Sequence, residues 1–388
     1  MVNRSKIVKI GIPVSLSGQF QMQGNQVLAG LQAWAEDVNQ AGGLHFSESD
    51  SPRTVAVIHY DDASRPEQVR LLAQRLILED RVDLMMGPYS SVLAQAAASV
   101  TEQYGKVLWN QGGASDSIYQ QGYRWVVGIL TPASEYLSGL PQLLLESHPE
   151  ANSLAIVRAA TGSFPKMVSS GLERKAAEFG FKTVLLREYD PAISDFSSII
   201  DQIQEAHPHL LLAVGRIQND LLPASQLAQR RIALGPVALV AAPIQQFHEA
   251  LGNDVEGFIG PSQWEPAGDY HGDNESYFGP TTSQVMGSLR RQSQLPMDYP
   301  MIQAYGAGLV AQRCVEEAGS LEPQALRAAA NVLDFSTFYG GFRIEPATGR
   351  QIGRSVVLVQ WQQGRKVIVW PPEQRQGRLV YPWNSAGR

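Results

Sequence analysis

At 388 residues the chain is too long for one ordinary hydrophobic core, so two lobes are the default expectation. Hydrophobic residues at 44% and charged residues at 18% describe a well-buried globular protein and exclude a disordered one. The net charge of −6 argues against nucleic acid or an anionic membrane as a partner, and Arg230-Arg231 and Arg290-Arg291 are isolated pairs that form no basic cluster. The first third alternates strand and helix. A strand over 6–14 precedes a helix over 25–40, whose Val27, Leu28, Leu31, Trp34, Ala35 and Val38 recur at helical spacing, and Gly42-Gly43 ends it. A strand over 54–60 leads to a helix over 66–79, with Ser64 the expected N-cap and Pro66 in the first turn. Then come a strand over 82–86, an Ala-rich helix over 92–104, a strand over 106–109 and a last strand over 125–129. Short spacing of this kind predicts a right-handed, doubly wound parallel sheet.

Thr131-Pro132 opens a crossover with a helix over 134–146 behind it, and the alternation restarts. Strands are expected over 153–157, 183–189, 210–214, 237–241 and 257–260, with helices over 165–179, 195–206 and 220–231 between them. Residues 265–280, rich in Gly, Asp, Asn and Tyr, read as a long surface connection, followed by helices over 281–291, 301–318 and 323–332. The end is β-rich over 338–344, 353–361 and 366–370, with turns at Thr348-Gly349 and Gln363-Gly364 and an extended tail over 371–388.

Little here supports catalysis. Cys314 is alone, which excludes an intrachain disulfide or a thiolate metal cluster. The seven histidines (His45, His59, His148, His207, His209, His248 and His271) have no metal-ligand spacing, and no G-x-S-x-G, Walker or G-x-G-x-x-G motif occurs. We therefore expect no enzyme, no cofactor and no metal. No apolar run approaches a membrane span, and Met1 to Lys6 lead into the first strand without a signal-peptide core. The sequence leaves open a cytosolic protein or one whose leader has been removed.

The informative segments are four turns that follow strands: Leu16 to Phe20, Tyr60-Asp61-Asp62, Met86 to Ser91, and Trp109 to Ser115. In an open parallel sheet such turns collect at the carboxyl edge, where ligands bind. Ser91 and Ser115 would offer N–H groups and hydroxyls to a carboxylate or carbonyl there. The alternatives are structural: Ser90 and Ser91 capping the next helix, Ser115 capping a turn, and Asp61 and Asp62 bonding backbone instead of forming a metal or acid–base pair. Phe20 and Gln23 lie on the first loop, the place for a lid. Tyr89, Trp109 and Trp264 each end a strand, and one or two would wall an apolar subsite. Arg158 reads equally as a pocket cation or a surface ion pair.

In this order the segments resemble the type I extracytoplasmic solute-binding proteins of ABC importers, the leucine/isoleucine/valine-binding group. The likeness rests on Gly11-Ile12-Pro13 running into Ser17-Gly18, Tyr60-Asp61-Asp62-Ala63, Gly87 before Ser90-Ser91, and the Gly112 to Ser115 turn. The Glu256-Gly257 strand start and the ending Tyr339-Gly340-Gly341-Phe342 with Thr348-Gly349 complete it. The resemblance implies an α/β fold of two Rossmann-like doubly wound lobes on a three-crossover hinge, which closes on a small molecule. It implies a first lobe over 6–129 plus 265–334 and a second over 130–264 plus 335–371. Implied partners are a small polar or carboxylated ligand (amino-acid-like, aromatic carboxylate or amide) and a membrane permease, with the protein periplasmic; the sequence leaves the oligomeric state open, and a monomer suits free hinge motion. A ligand sensor of the same fold, cytoplasmic in that case, is the alternative.

By the same resemblance the ligand carboxylate is held by Ser91 and by the turn from Gly112 to Ser115, for which helix N-terminal N–H groups give the physical reason. Three positions depart from the family. Its threonine in the second turn falls on Ala114, so Ser115 would supply the hydroxyl. Its second-lobe tyrosine falls near Ser163-Phe164, which keeps an aromatic wall through Phe164. Its acid for an α-ammonium falls near Ala242-Pro243, which has no carboxylate. An unpaired buried ammonium costs several kcal/mol, which disfavours a plain α-amino acid. Arg216, after the 210–214 strand, favours a second anionic or carbonyl group. The expected site is thus Phe20, Gln23, Tyr89, Ser91, Gly112, Ala114 and Ser115 on one lobe, with Phe164, Arg216 and Trp264 on the other.

Overall fold

The computed structural model describes residues 7–46, 51–230, 232, 234–266 and 276–383. The expected strand start at Lys6, the helix end at Arg231, His271 with most of the 265–280 connection, and tail residues 384–388 lie outside the described residues.

In chain order the elements are β1 (Ile7–Val14), α1 (Gln21–Gln40), β2 (Thr54–Asp61), α2 (Pro66–Leu78), β3 (Leu84–Met86), α3 (Ser91–Tyr104), β4 (Leu108–Asn110) and β5 (Val126–Gly128). Next come α4 (Leu140–Ser147), β6 (Ser153–Ala159), α5 (Ser163–Glu178), β7 (Lys182–Tyr189), α6 (Ser197–Ala206), β8 (Leu210–Val214), α7 (Ile217–Arg230), β9 (Val237–Leu239), α8 (Gln245–Leu251) and β10 (Ile259–Ser262). The last are α9 (Thr282–Gln292), α10 (Tyr299–Ala318), α11 (Pro323–Val332), β11 (Phe335–Thr337), β12 (Gly340–Phe342), β13 (Val357–Gln362) and β14 (Arg365–Trp370). They fall into two compact units, residues 7–132 with 276–354 and residues 133–266 with 355–383.

The first unit has a five-stranded parallel sheet in the order β2-β1-β3-β4-β5. Because β1 sits between β2 and β3, the connections leave it in opposite directions, and the loops after β1 and β3 flank the point where the order reverses. Helices α2 and α3 cover one side of the sheet through Val69, Leu76, Leu93, Ala97, Leu108 and Val126, all almost wholly buried. Helix α1 packs along α10, where Gly308 admits the Trp34 ring and Trp34 Nε1 donates to Gln312 Oε1 at 3.2 Å.

The second unit repeats the plan. Strands β7-β6-β8-β9-β10 are parallel, and β13 and β14 add an antiparallel edge beside β10. Every residue of β8 is buried, as a central parallel strand requires. Its reversal point lies between β6 and β8. The two-residue turn Gln363-Gly364 joins β13 to β14 with φ of 54° and 71°, the left-handed pair that suits the twist of a hairpin.

Four expectations need correction. The 134–146 helix is a short 3₁₀ turn over Ala133–Glu135 followed by α4, because Pro141 is accommodated in a first turn and not in a helix interior. Helix α8 was not foreseen from its short Gln-rich stretch. The 338–344 strand is a β11–β12 ribbon paired across Phe338-Tyr339. It groups with the first unit, as do residues up to Arg354, where 335–371 was assigned to the second lobe. The cause is bonding within that unit: Gly128 N–H donates to Gly349 C=O at 2.8 Å, and Arg327 donates to Pro346 C=O at 3.0 Å. Finally, the tail up to Trp383 is packed down. Trp383 is buried, stacks on Phe258 at 4.7 Å and donates from Nε1 to Ile232 C=O.

Candidate ligand-binding loops

In the first unit the loop after β1 is held by its neighbour after β2. Asp61 accepts the N–H groups of Leu16, Ser17 and Ala63 and the Ser17 hydroxyl. Burial raises its carboxyl, but these bonds outweigh burial and hold it below the usual range. Buried Asp62 accepts the Ser15 hydroxyl at 2.6 Å and the Ser64 N–H at 2.7 Å, and burial pushes it upward. Both aspartates therefore bond the loops, the structural alternative.

Ser64 is not the cap of α2; Arg65 holds that position without a side-chain bond. Its hydroxyl donates to Ser17 C=O at 2.8 Å and accepts Phe20 N–H at 3.1 Å, so it fixes the turn that carries Phe20. Phe20 meets Tyr89 edge-on at 5.6 Å between ring centroids. Tyr89 in turn meets Tyr299, at the start of α10, through a phenol–phenol hydrogen bond. Burial pushes the Tyr89 phenol up to about 12. Tyr299 was missed because nothing in the sequence brings α10 next to the β3 loop. Gln23 is buried in the first turn of α1, and Trp109 is wholly buried, a core residue.

The turns after β3 and β4 lie side by side. Ser90 N–H donates to Gly112 C=O at 3.0 Å, and Ser115 N–H donates to Ser91 Oγ at 3.1 Å. Ser90 is the N-cap of α3, its oxygen accepting Leu93 N–H at 3.5 Å. Ser91 opens the helix and is half-buried, and its hydroxyl keeps a proton to donate. Ser115 is fully buried and shares a hydrogen bond with the Ser117 hydroxyl at 2.9 Å, so it braces Ser91. Gly112 is where the turns touch: a Cβ there would lie 2.0 Å from Pro88 O. Ala114 is buried beside it.

In the second unit Phe164 lies in the first turn of α5, after β6, and meets Tyr136 edge-on at 5.7 Å. Gln263 Nε2 donates to the Tyr136 hydroxyl at 3.0 Å, and buried Trp264 follows it. Arg216 is exposed in the loop after β8. Arg158 bonds Glu188 at 2.7 Å and Ser169 at 3.0 Å, which makes it an ion-paired residue. Ala242 and Pro243 contribute carbonyls, to Trp361 Nε1 and Lys366 Nζ. Lys366 also pairs with buried Glu265 at 2.8 Å.

No sequence motif singles out Asp220. It lies in the first turn of α7 with 1% exposure and accepts Gly215 N–H at 2.8 Å and Ala241 N–H at 3.0 Å. Among the described residues no group of three or more His, Cys, Asp or Glu is placed to hold a metal, and no helix is long and apolar enough to cross a membrane.

Two doubly wound units with polar turns at both reversal points define a ligand-binding architecture. The model of the periplasmic binding protein family matches residues 7–366, and the chain belongs to that family. It is a type I binding protein and not an enzyme. The chain is 22% identical to Leu/Ile/Val-binding protein homolog 8 of Brucella abortus (strain 2308), over 94% of this chain and 90% of the relative. Its fold is similar to a putative branched-chain amino acid ABC transporter protein from Silicibacter pomeroyi, with a TM-score of 0.81, 18% identity, and coverage of 97% and 99%. It is also similar to a solute-binding protein of an ABC transporter from R. palustris, solved with 4-hydroxybenzoate, with a TM-score of 0.76, 18% identity, and coverage of 98% and 100%.

Proposed function

We propose that this protein captures a small carboxylated molecule and delivers it to the permease of an ABC importer outside the cytoplasm. Ser91 and the turn from Gly112 to Ser115 hold the carboxylate, with Phe20, Gln23 and Tyr89 beside it. Phe164, Trp264 and Arg216 are the ligand's further contacts, and binding closes a hinge of three crossovers. Closure strips water from the anion and strengthens each bond to it.

The observation that carries this reading is the Ser115 N–H to Ser91 Oγ bond at 3.1 Å, which sets two polar turns together at the carboxyl edge of a parallel sheet. The carbonyls of Ala242 and Pro243 are already bonded, and neither side chain is acidic, so an α-ammonium finds no carboxylate there. A carboxylate without a free ammonium is therefore the favoured class, and an aromatic one suits Phe20, Tyr89 and Phe164. The test is a thermal-shift screen of aromatic and aliphatic carboxylates, short amides and branched-chain amino acids, because a ligand of the native state raises the melting temperature. A carboxylate without an ammonium is expected to give the largest shift. A response to branched-chain amino acids alone would refute the substrate class, and no response across the panel would refute the function.

A further inference from the structure

The two loops at the carboxyl end of β8 and β9 share one buried anchor. Gly215 N–H meets Asp220 Oδ1 at 2.8 Å and Ala241 N–H meets Oδ2 at 3.0 Å. Both oxygens are thus occupied as acceptors by different loops: one carries Arg216, the other Ala242 and Pro243. We infer that Asp220 is a positioning residue of the ligand site, its carboxylate holding the Arg216 loop and the loop after β9 in register, so that protonation releases one loop from the other. This rests on the reading of the Arg216 loop as part of the ligand site.

The argument is one of donors and acceptors. An ionised carboxylate accepts on both oxygens, whereas a protonated one carries a donor that confronts an N–H already aimed at it. The same conflict arises with Asn, whose amide nitrogen cannot accept. Burial pushes the Asp220 carboxyl up to about 7, against the backbone bonds that lower it, which sets the exchange near neutral pH.

The titratable groups on the elements packed around it are few. Tyr189, at the end of β7, has its phenol pushed up by burial and then by Asp220. Its hydroxyl donates to Val214 C=O at 3.4 Å. Arg216 precedes α7 on the same loop. From α6 and its entry, Asp201 pairs with Arg230 and Asp195 bonds Gln226, both on later turns of α7. On α8, His248 stacks on Trp361 at 4.7 Å and Glu249 accepts from Gln245, and Asp254 follows in the next turn.

The deciding experiment is amide hydrogen exchange of the full chain at pH 6 and pH 8, corrected for intrinsic rates. Peptides over 211–219 and 237–243 report the two loops, and a peptide over 153–159 in β6 is the reference. In the native chain at least one loop peptide should lose protection fivefold or more at pH 6 relative to pH 8 while the reference stays constant. Asp220→Asn should show the low-pH behaviour at both pH values. A native chain with equal loop protection at the two pH values overturns the inference, and needs no variant to fold. So does an Asp220→Asn chain that titrates as the native one does. Calorimetry with 4-hydroxybenzoate as the probe separates the two readings. A native chain that takes up neither this probe nor any carboxylate of the thermal-shift panel counts against the proposed function, while the exchange result still judges Asp220. Native binding with Asp220→Asn equally tight at pH 8 overturns the positioning role, for which a loss of about tenfold is expected.

Discussion

Replacing Gly112 by alanine tests the apposition of the two polar turns in the first unit. The added Cβ would lie 2.0 Å from Pro88 O, 2.6 Å from Pro88 C and 2.7 Å from Tyr89 Cα, all backbone atoms. Ordinary contact begins at 3.4 Å, so the β3 loop must retreat by about 1.4 Å. Such a shift breaks the 3.0 Å bond from Ser90 N–H to Gly112 C=O and strains the one from Ser115 N–H to Ser91 Oγ. Overpacking costs about 1–3 kcal/mol and a lost backbone bond about 1 kcal/mol. The whole comes to about 2–4 kcal/mol, read as a lower urea midpoint at unchanged slope. Gly287→Ala is the control. It lies in α9, and its nearest neighbour is the flexible tip of Arg291 at 3.6 Å, so a gain of about 0.5–1 kcal/mol is expected. A Gly112→Ala chain within about 0.5 kcal/mol of the native one would refute the close contact of the turns.

Four further outcomes follow from the same loops. Ser64→Ala removes the bonds to Ser17 C=O and from Phe20 N–H, and should lower stability by about 1–2 kcal/mol in thermal unfolding while weakening ligand binding through Phe20. Tyr89→Phe keeps the ring against Phe20 but loses the phenol bond to Tyr299, for about 1 kcal/mol. In the native protein the Tyr89 phenolate absorbance should emerge only near pH 12, and earlier emergence would contradict its burial. Asp61 has a depressed pKa in the folded state, so its contribution is present above its unfolded value near 3.9 and fades as pH falls below it. Asp61→Asn should therefore be less stable than the native chain at pH 6, with the gap narrowing by pH 3. Its exposure keeps the effect to about 1 kcal/mol or less.

Much of the fold was legible because parallel strands announce themselves as short apolar runs between amphipathic helices. The β8 run of Leu210 to Val214 and the α11 helix from Pro323 to Val332 fall where periodicity sets them. Strand ends also point to loops, so the turns at Ser91 and at Gly112 to Ser115 could be singled out. Their contact with each other could not, since it depends on β3 and β4 being neighbours in the sheet. Long-range partners were invisible for the same reason. Ser64 looks like a helix cap in sequence, yet it serves Phe20 from 44 residues away. Tyr299 reaches Tyr89 across 210 residues, and Asp220 reads as an ordinary first-turn acid until Ala241 is seen to bond it. The tail misled because its Pro, Gly and Arg residues show no period, while the contacts that tie it down are long-range: Arg375 to Glu146, Val380 N–H to Gln360, and Trp383 to Ile232 C=O.

The most direct test of the account is calorimetric titration of the best carboxylate from the thermal-shift panel into the native chain, Ser91→Ala, Arg216→Ala and the double variant. If Ser91 and Arg216 both hold the ligand, each single change should weaken binding about tenfold, and the double should bind more weakly still. Unchanged affinity in both single variants would contradict it.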